Sequence, residues 1–186
     1  MELMDKTIVI TGASSGIGEA AADLFAAEGA RLVLGSRRSD NLEIITERIS
    51  ARGGQAVYLA GDVRDEGYAQ ALVDLALGAF DSLDGAFNNA GTVGAMGPVG
   101  EMELADWNDV LATNLTSAFL AAKAQAPVLA ARGGGSIVFT SSFVGYSNAG
   151  LPGMAAYAAS KAGLIGLTQS LAADHAGANV RVNALL

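Results

Sequence analysis

The hydrophobic positions of the chain fall into short apolar or β-branched runs, separated by longer segments in which apolar residues return every three or four positions. The short runs at residues 7–10, 31–34, 56–60, 85–88, 136–140 and 179–184 predict strands. The periodic segments between them predict helices at 16–28, 41–52, 66–80, 105–131 and 154–175. Ile8, Val9 and Ile10 are apolar at consecutive positions, as are Ile137, Val138 and Phe139, so both faces of these strands must be covered. Regular alternation of such strands with helices predicts the α/β class, a doubly wound parallel sheet of Rossmann type flanked by helices on both faces. Gly29, the pair Gly53 and Gly54, and the run Gly133, Gly134 and Gly135 stand where helices must stop and the chain must turn to the next strand.

The chain is 186 residues long, the size of one domain, and its 51% hydrophobic and 16% charged residues are those of a packed core rather than a disordered segment. We find no internal repeat and no proline-rich linker, so residues 1–186 are expected to form a single unit. Nineteen acidic against eleven basic residues give a formal net charge of -8, and that field repels phosphate backbones and anionic lipid surfaces. Nucleic acid and membranes are therefore not the expected partners. The alanine-rich stretch at 117–131 is broken by Lys123, Gln125 and Pro127, which disqualifies it as a membrane span. Absence of cysteine excludes disulfides, thiolate metal sites and a cysteine nucleophile. Charges at Glu2, Asp5 and Lys6 run directly into the first strand without a signal-peptide pattern, and a cytoplasmic location is expected.

Candidate chemistry begins after the first strand, in the run Thr11, Gly12, Ala13, Ser14, Ser15, Gly16, Ile17, Gly18. A glycine-rich turn that opens a helix lets a pyrophosphate approach free backbone amides at the positive end of the helix dipole. The spacing differs from both the common G-x-G-x-x-G fingerprint and the P-loop. An ordinary strand-to-helix turn of small residues is the alternative.

Tyr157 and Lys161 lie four positions apart in a helical segment and so project from one face. An ammonium at that distance favours the phenolate form of a tyrosine and lets it act as a general acid or base near neutral pH. The same spacing also occurs in surface pairs without chemistry. Position favours chemistry, because the pair follows the fifth strand, at whose end Ser141 and Ser142 stand, and ligands of open α/β sheets bind at that edge. Ser142 is a candidate hydrogen-bond donor to a substrate oxygen, or merely the residue that ends the strand.

Taken together, these residues resemble the short-chain dehydrogenase/reductase family of single-domain NAD(P)-dependent oxidoreductases. Residues 11–18 match its TGxxxGxG turn, Asn88, Asn89, Ala90 and Gly91 its NNAG segment, Asn114 its helix asparagine, and Ser142, Tyr157 and Lys161 its catalytic serine and YxxxK motif. The resemblance implies that Tyr157 hands a proton to a carbonyl oxygen held by Ser142. Lys161 would assist Tyr157 and bond the nicotinamide ribose, while Asn114 completes a proton relay through water. In the alternative reading Asn114 bonds only to its local backbone. The resemblance also implies that Gly12, Ser14, Ser15, Gly16, Ile17, Gly18, Asn89, Ala90 and Gly91 hold the cofactor. Asp62 and Val63 would meet its adenine, although Asp62 could instead cap the next helix, a job for which Asp65 is equally suited.

Cofactor choice depends on the end of the second strand. An acidic residue there repels a 2′-phosphate, whereas Ser36 followed by Arg37 and Arg38 welcomes one, so NADP(H) is expected over NAD(H). Both arginines could instead be solvated. The expected reaction interconverts a small ketone and a secondary alcohol, in a pocket lined partly by residues 92–99 and 143–154. Epimerisation or dehydration through a keto intermediate is a further possibility of the family. The family normally continues past the sixth strand with a substrate loop, a seventh strand and a final helix, so a C-terminally short chain is expected to lack them. A catalytically weak or inactive dinucleotide-binding module is the alternative that this shortness raises. A dimer or tetramer built on the helix over 105–131 and the helix bearing Tyr157 is the assembly the resemblance implies.

Overall fold

The structure, a computed structural model, describes residues 1–147 and 151–186. Six strands form one parallel sheet: β1 (Thr7–Thr11), β2 (Arg31–Ser36), β3 (Gln55–Ala60), β4 (Gly85–Asn88), β5 (Gly135–Thr140) and β6 (Val180–Leu185). Their order is β3-β2-β1-β4-β5-β6. The order reverses between β1 and β4, and at that switch the connections leave in opposite directions and open a crevice at the carboxyl edge.

Alternation along the strands sorts the core into two layers. Ile8, Ile10, Leu32, Leu34 and Phe87 pack on one face, against Ala22 of α1 (Gly16–Ala27) and Leu42, Ile45 and Ile49 of α2 (Ser39–Ala51). Val9, Val33, Ala86, Ile137, Phe139 and Val182 pack on the other. They meet Leu72 and Val73 of α3 (Glu66–Phe80), Ala118, Ala122 and Leu129 of α5 (Ser117–Ala131), and Leu164 of α7 (Ala155–His175). Ile10, Leu32 and Leu34 are wholly buried, and each contributes about 1.5–3 kcal/mol through burial. The run of consecutive apolar residues in β1 is thus explained: all five of its residues are buried.

The helix ends follow local chemistry. Asp65 caps α3 by accepting from the Gly67 amide at 3.0 Å, and Asp81 ends it in the left-handed conformation. Gly29, Gly53 and Gly133 each take positive φ just after a helix, as their positions predict.

The structure departs from the sequence expectation in two places. The single helix expected over 105–131 is instead α4 (Leu104–Leu111), a π-helical turn (Ala112–Thr116) and α5 in continuous succession. The segment after β5, for which the sequence pattern predicts no element, begins with a short helix, α6 (Phe143–Ser147). Residues 148–150 of that segment lie outside the described residues. Among the described residues no helix is long and apolar enough to cross a membrane.

Candidate active site

The carboxyl ends of β1, β4 and β5 are tied together by short polar side chains. Thr11 Oγ1 accepts from the amides of Asn89 (3.1 Å) and Ala90 (3.3 Å), and Thr140 Oγ1 donates to Asn89 Oδ1 at 3.1 Å. Asn89 therefore sits at the centre of the edge, beside the glycine turn. A Cβ on Gly12 would stand 2.9 Å from Ala90 Cα and 3.1 Å from Asn89 Nδ2, and one on Gly18 only 2.2 Å from the Gly12 carbonyl oxygen. Gly16 is different: it takes φ +57° and faces open space. The protein's own packing thus demands glycine at 12 and 18, and backbone conformation demands it at 12, where φ is +67°, and at 16.

A cleft of about 480 Å³ runs along this edge, a volume within the range of small-molecule sites. It is lined by Gly12, Ser14, Ser15, Ser36, Arg37, Asp62, Val63, Asn89, Ala90 and Gly91, so ten of the expected cofactor residues meet in one place. Ile17 projects into solvent on the first turn of α1.

At the β2 end, Ser14 and Ser36 share a 2.6 Å hydrogen bond. Arg38 lies over them: its Nη2 donates to Ser15 Oγ (2.6 Å), Ser14 Oγ (3.0 Å) and the Ser14 carbonyl (3.2 Å), and its Nε to Ser14 Oγ (3.2 Å). Arg38 thus stands exposed at the start of α2, as the alternative reading has it, yet is bonded to the glycine turn. Among the described residues neither Arg37 nor Arg38 is in an ion pair, so both positive charges are available. At the β3 end, Asp62 does not cap α3, which Asp65 does; its carboxylate is gripped by Arg64. The side-chain hydrogen bond from Arg64 holds Asp62 below the usual carboxylate range.

The β5 end gathers the expected catalytic residues. Lys161, 3% exposed, donates from Nζ to the Thr140 carbonyl at 2.6 Å, and Nζ stands 5.6 Å from the centroid of the Tyr157 ring. Burial pushes the Lys161 ammonium down to about 8. A Cβ on Gly91 would lie 3.4 Å from Lys161 Nζ and 3.2 Å from Asn114 Oδ1, so these three groups surround one small space.

Asn114 sits in the π-helical turn, and its amide is engaged away from its own helix, with one acceptor position of Oδ1 left over. Oδ1 accepts from the Thr92 amide at 2.8 Å, and Nδ2 donates to the Thr92 carbonyl (2.8 Å) and to Ser160 Oγ (2.9 Å). The reading of Asn114 as a residue bonding only its local backbone is thus wrong. Ser142 begins the turn into α6, where its Oγ accepts from the Val144 amide at 3.3 Å. Beside it, Ser141 Oγ donates to the Lys161 carbonyl at 2.8 Å and holds α7 on the strand end.

Sequence reasoning missed Thr140 and Ser160, and gave Ser141 no role of its own and Thr92 only a place in segment 92–99; Ser141, Thr140 and Ser160 support the site, and Thr92 also lines the cleft. Glycine also joins the two expected substrate walls. The Gly97 amide donates to the Gly153 carbonyl at 3.1 Å, linking segment 92–99 to the entrance of α7. Among the described residues no cluster of carboxylates and histidine is fit to hold a metal ion.

The sequence profile described as short chain dehydrogenase matches residues 6–186. The 2,5-dichloro-2,5-cyclohexadiene-1,4-diol dehydrogenase of Sphingobium indicum (strain B90A) is 38% identical over 186 residues, covering 100% of this chain and 72% of that protein. Among solved structures, a 3-ketoacyl-ACP reductase from Sinorhizobium meliloti 1021 superposes with a TM-score of 0.93 at 36% identity, covering 96% of this chain and 70% of the other. An NAD+-bound xylitol dehydrogenase gives 0.94 at 36% identity, covering 99% and 70%. The match therefore extends over nearly the whole of this chain and most of its relatives' length. It coincides with the cleft, the glycine turn and the lysine just described, and the chain belongs to the short-chain dehydrogenase family, NAD(P)-binding oxidoreductases that act on CH-OH and C=O groups.

Proposed function

We propose that this chain is an NADP(H)-dependent oxidoreductase that interconverts a small ketone and a secondary alcohol, with Tyr157 as the proton donor and acceptor. The observation that carries this reading is the buried Lys161 ammonium, 5.6 Å from the Tyr157 ring and facing the same space as Gly91 and Asn114. Burying a cation has a cost unless it is put to use, and here it favours the negative charge that forms when the phenol gives up its proton.

The residues present fit a dinucleotide. Gly12 and Gly16 leave backbone accessible at the start of α1 while Gly18 lets the turn close on itself, and a phosphate is stabilised there by free amides and the helix dipole. Gly12, Ser14, Ser15, Gly16, Ile17 and Gly18 would hold the pyrophosphate, Asp62 and Val63 the adenine, and Asn89, Ala90 and Gly91 the stretch toward the nicotinamide. Lys161 and Tyr157 would bond its ribose. Ser36, Arg37 and Arg38 favour NADP(H), because two unpaired guanidinium groups and a hydroxyl suit an additional phosphate. The bound nicotinamide supplies or accepts the hydride. Tyr157 then delivers the proton to the carbonyl oxygen, Ser142 donates a hydrogen bond to that oxygen, and Asn114 holds the water that returns a proton toward Lys161. Phe119, half exposed on α5, supports assembly as a homo-oligomer. Size-exclusion chromatography showing a stable monomer counts against that part.

The test is consumption of NADPH, followed at 340 nm with a panel of small ketones, for the wild type and Tyr157→Phe. Turnover that disappears in the variant while NADPH binding is retained supports the reading. Binding without turnover of any ketone would make the chain a dinucleotide-binding module instead.

A further inference from the structure

At the end of the sheet opposite Lys161, past β3, three charged side chains form a connected line. Arg64 donates from Nε to both oxygens of Asp62 (3.0 Å each), from Nη2 to Asp62 Oδ2 (2.6 Å), and from its backbone amide to Asp62 Oδ1 (3.0 Å). Its remaining nitrogen, Nη1, pairs with Asp109 of α4. Asp62, Arg64 and Asp109 all line the cleft, so the guanidinium joins the loop after β3 to the helix on the facing wall.

This arrangement exceeds what an exposed ion pair needs. A planar guanidinium held by carboxylates at both ends has fewer orientations open to it, and the carboxylate it grips is restrained in plane and direction with it. A lysine would offer a point charge with no such constraint. A carboxylate has about four acceptor sites, and Arg64 brings three N–H donors to Asp62, one of them shared between both oxygens, which leaves about one site for a ligand donor.

We infer that Arg64 is a positioning residue for cofactor recognition: anchored by Asp109, it fixes the direction of the Asp62 carboxylate and thereby sets the discrimination between adenine and a 6-oxopurine. The inference rests on the reading that the cleft takes an adenine dinucleotide with Asp62 at the base. An exocyclic amino group donates to a fixed carboxylate, whereas the carbonyl of hypoxanthine at the same position is repelled by it. Arg64 holds the Asp62 carboxyl below the usual carboxylate range, in agreement with an acceptor-only role.

The test compares the dissociation constants of NADP+ and its hypoxanthine analogue, by calorimetry on the full chain, for the wild type, Arg64→Gln, Arg64→Lys, Asp109→Asn and the Arg64→Gln/Asp109→Asn double variant. The wild type should favour NADP+ by about tenfold, as expected for a hydrogen bond to a charged group. Arg64→Gln should bring the ratio to within about twofold of unity, with an unchanged melting temperature, and Arg64→Lys should not restore it. Asp109→Asn should lower the ratio about threefold, and the double variant should be no worse than Arg64→Gln alone. A wild-type ratio retained in Arg64→Gln, equal weakening of both nucleotides, or additive effects of the two substitutions would overturn the inference. A wild type that binds both nucleotides equally also overturns it while leaving the dinucleotide reading intact. Binding of neither removes the dinucleotide reading itself.

Discussion

Lys161 and Thr140 are joined by a 2.6 Å hydrogen bond from an ammonium on α7 to the last carbonyl of β5, and this bond pins the lysine at the floor of the site. Because burial pushes that ammonium down to about 8, it titrates within the working range of an enzyme. For ketone reduction, kcat/KM should fall along a limb near pH 8 as Lys161 loses its proton, since this ratio reports groups of the free enzyme. Lys161→Arg should carry the limb out of the measurable range, and a limb that stays put belongs to another group. Stability should follow the same ionisation. Below about pH 8 the folded and unfolded chains both hold the proton, so this group contributes no slope. Between about 8 and the ordinary lysine value of 10.5 the unfolded chain holds more protons, so stability rises with pH, by at most about 3 kcal/mol. Urea titrations against Lys161→Met at pH 7.5 and 10 measure the difference.

Most of the fold could be read from the chain because short runs of consecutive apolar residues, alternating with longer segments of helical period, have few readings other than strands covered on both faces. Ile8, Val9 and Ile10 could only belong to a central strand, and they do. The π-helical turn at Ala112–Thr116 left no trace, because one extra residue in a turn scarcely disturbs an apolar stripe that is broad and alanine-rich. Ser160 was invisible for another reason: a helical serine between Tyr157 and Lys161 gives no sign that it meets Asn114, 46 positions away. Asp62 and Asp65 were interchangeable as caps on paper, and only backbone geometry shows Asp65 taking the Gly67 amide.

Arg37 and Arg38 illustrate the same limit and give a prediction. Adjacent residues of extended chain point to opposite sides, so sequence alone does not tell which arginine turns toward the glycine turn. Arg38 is the one bonded to Ser14 and Ser15. Arg38→Ala should therefore raise KM for NADPH roughly tenfold while changing KM for NADH little, with a smaller effect from Arg37→Ala. Adding Ser36→Asp should turn the preference toward NADH, since a carboxylate there repels the 2′-phosphate. Equal losses for NADPH and NADH in Arg38→Ala would assign it to the shared pyrophosphate instead.

Asn114 allows a comparison in which the near-isosteric change should be no milder than truncation. Asn114→Ala deletes one acceptor and two donors at a residue 2% exposed, leaving the Thr92 amide, its carbonyl and Ser160 Oγ short of partners, at a cost of roughly 3 kcal/mol. Asn114→Asp keeps the acceptor for the Thr92 amide, yet it turns a carboxylate oxygen toward the Thr92 carbonyl and buries a charge. Chemical denaturation should find Asn114→Asp at least as destabilised as Asn114→Ala at pH 7, and recovering as pH falls and the carboxyl is protonated. A stable Asn114→Asp at pH 7 would mean that the amide donors contribute little.

Gly153 tests whether the two substrate walls act together. It takes φ +76°, and a Cβ there would stand 3.0 Å from the Gly97 amide nitrogen, against a backbone that has no side chain to move aside. Gly153→Ala therefore faces both a left-handed backbone and a tight contact, a combined cost of about 1–2 kcal/mol. The cheapest relief is to lengthen the 3.1 Å bond from Gly97 to Gly153, which parts segment 92–99 from the start of α7. None of the residues that line the cofactor cleft beside Ser14, Ser36 or Asp62 takes part in that contact, so NADPH binding should change less than twofold. On the proposed function substrate KM should rise several-fold, because segment 92–99 and the entrance of α7 are the expected walls of the substrate pocket. Steady-state kinetics with NADPH saturating, beside a calorimetric NADPH titration, separates the two effects. If NADPH affinity and substrate KM shift by the same factor, the contact supports the whole edge of the sheet rather than the substrate walls.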